Sequence, residues 1–126
     1  MRLLLDTQSA YWWLLEHRRL SRKAKAAIGH PRNHARASII SVYEMGIKVR
    51  RGLLSDDVAQ DFATTLVATG LDPIPLTIAH MERGALLGWR NNDPWDRLYA
   101  AQAMVEGMTL VSSDEAFDEL PIRRLW

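Results

Sequence analysis

The chain has 126 residues, a formal net charge of +1, 48% hydrophobic and 25% charged residues, and no cysteine. That length favours a single domain, and the composition is too apolar for disorder and has no apolar run long enough to span a bilayer. Without cysteine there are no disulfides, thiolate nucleophiles or thiolate zinc sites, so any metal must be held by oxygen or imidazole. The opening MRLLLD is too short for the apolar region of a secretory signal, which points to a cytoplasmic protein. The charge is unevenly distributed. Ten basic residues lie between residues 17 and 51 against Glu44 alone, giving that stretch +9 and leaving −8 for the rest. A one-sided basic surface suits either a solvated helical face or a polyanion such as nucleic acid.

In chain order, Leu3 to Leu5 form a continuous apolar run that predicts a strand buried on both faces, with Asp6 at its end. Thr7 is placed to cap a helix carrying Tyr11, Trp12, Leu14 and Leu15, an aromatic load suited to core or interface. Ser21 is placed to cap a second helix ending near Gly29 and Pro31. Ala37, Ile39 and Ile40 suggest a short extended piece. Ser41 to Glu44 then read as a capping box for a helix that reaches Arg51 and closes at Gly52, putting Glu44 in its first turn. Ser55 predicts the start of a helix through Val58, Phe62 and Leu66 before Gly70, and Ile74 between two prolines predicts a short strand.

Thr77 starts the next helix. Asp93 followed by Pro94 opens another, with Leu98, Ala101, Met104 and Val105 on one face as far as Gly107. Thr109 to Val111 predict a strand ended by Ser112, Ser113 and Asp114. A short acidic helix around Phe117 follows, then a last strand within Ile122 to Trp126. Strands alternating with helices predict one α/β domain over residues 1–126, with a mainly parallel central sheet flanked by helices and a site at the carboxyl ends of the strands.

The residues with chemistry at those ends are acids. Asp6 and Asp114 follow strands, while Glu44 and Asp96 are expected in first helical turns. Each alone is explained by a cap or a helix-dipole partner. Together they repel, since like charges ~4 Å apart cost roughly 4 kcal/mol at an effective dielectric of 20, and a hard cation offsets that repulsion. An all-oxygen donor set favours Mg²⁺ or Mn²⁺. His17, His30, His34 and His80 show no metal-ligand spacing, and no glycine-rich phosphate loop occurs. A receiver-like phosphoacceptor domain would want paired acids after the first strand and a late lysine, whereas only Asp6 follows the first strand and no lysine occurs beyond Lys48.

Four segments, LLLDT, SVYEMGIKVRRG, NDPWDRLYAAQA and LVSSDEAFDEL, resemble in order and spacing those of PIN-domain ribonucleases, most closely the VapC-type toxins. The resemblance implies a PIN fold and Mg²⁺-dependent hydrolysis of RNA phosphodiester bonds. It implies a neutralising VapB-type antitoxin as partner and allows a homodimer. It assigns Asp6, Asp96 and Asp114 to the metal, and Glu44 to completing the shell or orienting the attacking water. Lys48, Arg50 and Arg51, on the helix of Glu44, are expected to contact RNA phosphates. The alternative is a non-catalytic RNA- or protein-binding module of the same fold, its carboxylates serving only as caps. Gln8, Ser113, Asn91 and Asn92 depart from residues frequent in relatives and bear on the choice of substrate.

Overall fold

Leu3, Leu4 and Leu5 are completely buried, as a strand covered on both faces must be. In this computed structural model, which describes Met1–Trp126, they lie in β1 (Arg2–Leu5). Helices α1 (Thr7–Leu14) and α2 (Arg22–Gly29) follow, then β2 (His34–Ala37) and α3 (Ile39–Arg50). Next come α4 (Asp57–Gln60), α5 (Phe62–Ala68), α6 (Ile78–Leu86) and α7 (Pro94–Glu106). The chain closes with β3 (Thr109–Val111), a 3-10 helix over Glu115–Glu119, and β4 (Arg124–Leu125). The four strands are parallel in the order β2-β1-β3-β4, with Leu3 opposite both Ala35 and Thr109. This is the α/β architecture with a parallel sheet that the alternation of elements predicts.

Alternation along β1 divides the interior in two. Leu3 and Leu5 join Ala10, Tyr11, Met45, Phe62, Leu66 and Val111 on one face. Leu4 joins Ile40, Tyr99, Ala100, Leu110 and Phe117 on the other. The aromatic load of α1 goes largely into the first of these cores. Tyr11 is buried and donates its hydroxyl hydrogen bond to Asp56, while Trp12 packs on Trp126 and stacks on His17.

Three helix starts differ from expectation. The cap of α1 is Asp6, whose Oδ1 accepts from the Ser9 amide at 2.8 Å, and Thr7 is the first helical residue. Helix α3 begins earlier than expected, with Ser38 as its cap accepting from the Ile40 amide at 3.2 Å. Ile39 and Ile40 are therefore helical, the Ser41 hydroxyl donates to the Ser38 carbonyl at 2.6 Å, and Glu44 lies beyond the first turn. Ser38 wins because the β2 strand ends one residue before it, so the chain must already turn there. The helix expected from Ser55 starts after Asp56, and Asp61, with φ −112 and ψ 35, divides it into α4 and α5. Ile74 forms only a single parallel bridge, to Ser38.

Helices α6 and α7 pack closely on each other. Gly84 lets them approach closely, because a Cβ there would meet Leu98 Cδ2 at 3.2 Å and the Arg97 carbonyl oxygen at 3.3 Å. The Arg97 guanidinium donates to the carbonyls of Gly84 (2.9 Å), Trp89 (2.8 Å), Asn91 (2.8 Å) and Leu87, tying the connection between the helices to α7. His80 is a core histidine. Its Nδ1 accepts from the Thr77 amide at 3.0 Å, so Nε2 carries the proton and donates to Glu106 at 2.8 Å. No helix is long and apolar enough to cross a membrane.

Candidate active site

Parallel strands direct their carboxyl ends, and the loops that follow, to one edge of the sheet. Asp6 follows β1, and Asp114 comes three residues after the end of β3. There the two acids meet Glu44 from α3 and Asp96 from the first turn of α7. All four line one cleft of about 120 Å³, together with Thr7, Gln8, Lys48, Tyr99 and Phe117. Four acids widely separated in sequence therefore share one small space.

Each carboxylate is anchored through one oxygen. Asp6 Oδ1 accepts from the Ser9 amide at 2.8 Å and Asp114 Oδ1 from the Ala116 amide at 2.9 Å, so both cap the helix they precede. Asp96 Oδ2 accepts from the Asn91 side-chain amide at 3.1 Å. Glu44 Oε1 accepts from Thr7 Oγ1 at 2.7 Å and from the Tyr99 hydroxyl at 3.0 Å, and those two hydroxyls touch each other at 2.5 Å. The other oxygens of Glu44, Asp96 and Asp114 have no hydrogen-bond partner in the protein, an arrangement suited to coordinating a cation or accepting a hydrogen bond from water. No three carboxylate or imidazole groups already close into a cage for an ion, so the acids are gathered without being clenched.

The electrostatics record this proximity. Burial pushes Asp6 above its ordinary value, Ser112 and Ser9 pull it down by hydrogen bonding, and Asp114 pushes it up further. Asp96 is likewise raised by burial, lowered by Asn91, and raised by the charges of Asp93, Asp114 and Glu44. Burial and the neighbouring Glu44 hold the Tyr99 phenol well above its usual value, so it remains a neutral donor. The donor set is entirely oxygen, carries like charges and offers unpartnered lone pairs, which fits a hard divalent cation.

Of the three predicted RNA contacts, only Lys48 reaches the cleft, one helical turn from Glu44. Arg50 borders a neighbouring groove and Arg51 forms the exposed end of α3, so neither joins the acids. None of the basic residues before position 48 lines the cleft. Asp93 is a cap, its Oδ1 accepting from the amides of Trp95 (2.9 Å) and Asp96 (3.1 Å). Sequence reasoning did not find the anchoring roles of Thr7, Tyr99 and Asn91. Only Tyr99 left a local signal, since it stands three residues after Asp96 on the same helical face.

The model of the PIN domain family matches residues 3–122. Ribonuclease VapC22 of Mycobacterium tuberculosis is 34% identical over 117 residues, which cover 89% of this chain and 86% of that protein. Among solved structures, VapBC2 from Rickettsia felis, bound to a DNA fragment from its promoter, superposes with a TM-score of 0.71 at 19% identity, covering 98% of this chain and 97% of that one. VapBC-5 from Mycobacterium tuberculosis superposes with a TM-score of 0.63 at 19% identity, covering 97% and 98%. With a family match running from β1 to the approach to β4, and four acids gathered where the parallel strands end, this chain belongs to the PIN domain family.

Proposed function

We propose that the protein is a Mg²⁺-dependent ribonuclease that hydrolyses RNA phosphodiester bonds and acts as the toxin of a toxin-antitoxin pair. The observation that carries this reading is the convergence of Asp6, Glu44, Asp96 and Asp114 on one cleft, each held by one oxygen. It is supported by the likeness to a protein named as a ribonuclease and, for the partner, by fold likeness to VapBC structures, which makes a VapB-type protein the expected antitoxin.

In this mechanism Asp6, Asp96 and Asp114 would hold Mg²⁺, or Mn²⁺ in its place. When bound, the ion supplies Lewis-acid stabilisation of the charge that develops on the phosphate. Glu44, steadied by Thr7 and Tyr99, would accept a proton through its free oxygen from the water that attacks phosphorus, while the bond from phosphorus to the ribose 3′ oxygen breaks and that oxygen takes a proton from solvent to leave a 3′-hydroxyl. Lys48 neutralises a phosphate oxygen at the mouth of the cleft, while Arg50 and Arg51 on the same helix hold the flanking backbone. Asn91 and Ser9 keep Asp96 and Asp6 from swinging away.

One observation favours a non-catalytic binding module instead. Asp6 and Asp114 both serve as caps, a role that needs no catalysis. Expressing the protein with and without its expected partner and sequencing the 5′ ends of cellular RNA separates the two readings. New 5′ ends that vanish in Asp6→Asn and on partner co-expression support the ribonuclease. Unchanged ends with retained RNA binding support the module.

A further inference from the structure

Glycine within a helix costs stability relative to alanine, so an interior glycine that no packing requires needs another reason. Gly46 lies in the middle of α3, and a Cβ built there meets nothing within 4 Å. Its missing side chain leaves open a groove of about 480 Å³ lined by Ile39, Val42, Tyr43, Ile47 and Arg50. Tyr43 is 60% exposed, unusual for a large aromatic ring, and it meets Trp95 at 5.3 Å between ring centres with the planes tilted by 45°. Trp95 is half-buried and packs on the core of Leu4, Tyr99 and Phe117, which makes it a fixed prop for the exposed ring.

The position of this pair matters. Tyr43 directly precedes Glu44, and Trp95 directly precedes Asp96, so the two rings bridge the helices that bring those acids to the cleft. Further along the same helix Lys48 stands in the cleft, and Arg50, about two turns after Tyr43, borders the groove. An exposed aromatic face on a helix that also carries these two cations, beside the acids, suits an occupant with both flat apolar faces and negative charge. That favours a nucleotide over an apolar protein segment.

We propose that Tyr43, propped by Trp95 and given room by Gly46, is a stacking platform for a nucleobase next to the phosphate cleaved in single-stranded RNA. This rests on the ribonuclease reading above. Stacking of this kind accepts any base, so the platform contributes affinity and registers the backbone over the acids without reading sequence.

The test measures binding in EDTA, where no chemistry is needed, by fluorescence anisotropy of labelled single-stranded oligoribonucleotides about ten nucleotides long. Tyr43→Ala should weaken binding about tenfold, the size of one base stacking on an aromatic ring, and Tyr43→Phe should stay within about twofold of the original. Gly46→Leu, which fills the groove, should also weaken binding about tenfold while raising the melting temperature, a pairing that a merely structural role does not produce. An oligonucleotide abasic at every position should bind the original protein about tenfold more weakly than its parent and should bind Tyr43→Ala as well as its parent does. Equal affinity of Tyr43→Ala and the original protein, or an abasic penalty of the same size in both, overturns the platform. So does intact RNA affinity in Tyr43→Ala and Gly46→Leu with loss of a co-purifying protein, which makes the groove a protein interface. Failure of the original protein to cleave RNA in Mg²⁺ would instead defeat the ribonuclease reading, and the binding data would stand apart from it.

Discussion

Asp6 does two things with one carboxylate, since it caps α1 through Oδ1 and faces the cleft. Asparagine keeps an oxygen for the Ser9 amide and removes the charge, so Asp6→Asn should abolish RNA cleavage while its circular dichroism stays native. The same substitution should raise the melting temperature at neutral pH in EDTA. Burial raises the folded-state pKa of Asp6 and Asp96 above the ordinary 3.8. From 3.8 upward to that raised value the folded chain keeps protons that the unfolded chain has released, so stability falls as pH rises through the window. The gain in Asp6→Asn should therefore shrink as the pH is lowered toward 4, and a gain independent of pH would contradict the electrostatic origin. Asp93 and Asp96 divide their tasks the other way. Asp93→Ser retains a good cap and should keep most activity, with a stability change of roughly 0.5 kcal/mol or less, whereas Asp96→Asn should lose cleavage with its fold intact. Cleavage and thermal melts of both variants check this, and an inactive Asp93→Ser would add that residue to the four acids of the proposed reaction. Asp6, Asp96 and Asp114 were legible because strand ends and the start of α7 are marked locally, whereas Glu44 was picked out by a helix start that lies three residues earlier than read. Of their anchors only Tyr99 left a local signal, through its spacing from Asp96, because the bonds from Thr7 and Tyr99 to Glu44 join residues far apart in the chain.

At the scale of elements, α7 shows why some helices can be read and others cannot. Asp93, Pro94 and the left-handed Gly107 mark its ends with residues whose backbone preferences leave little choice. In α3, by contrast, two serines compete. The pattern from Ser41 to Glu44 imitates a capping box, but the end of β2 places Ser38 where the chain first turns, and tertiary position overrides the motif. The junction of α6 and α7 is more specific still. Arg97→Met should cost about 2–3 kcal/mol, because one guanidinium satisfies four carbonyls and its removal leaves several partly buried without a partner. Arg97→Lys should recover little, since an ammonium cannot span them. A drop of roughly 3–5 °C per kcal/mol in thermal melts is the readout. Gly84→Leu should destabilise by about 1–3 kcal/mol through overpacking against Leu98 and the α7 backbone.

At the scale of the whole molecule, the basic stretch is divided by the fold. Lys48 faces the acids, whereas Arg18, Arg19, Arg22, Lys23, Lys25 and Arg32 are exposed and border no part of the cleft. Lys48→Ala should therefore lower the slope of log RNA affinity against log salt by about 0.7, while the double substitution Arg18→Ala and Arg19→Ala should leave it unchanged. A lowered slope in the second variant would mean that RNA wraps well beyond the cleft. The alternation of elements announced a parallel sheet, yet the order β2-β1-β3-β4 was not legible, because pairing Leu3 with Thr109 is decided by packing between distant segments. That order also bears on when the cleft can form. β1 is made before β3, one of its two neighbours, and Asp114 comes later still. A nascent chain therefore carries Asp6 long before it can carry a finished cleft, and slow, long-range strand pairing postpones assembly further. On the ribonuclease reading, an emerging chain cuts no RNA until its residues as far as Asp114 are out and paired.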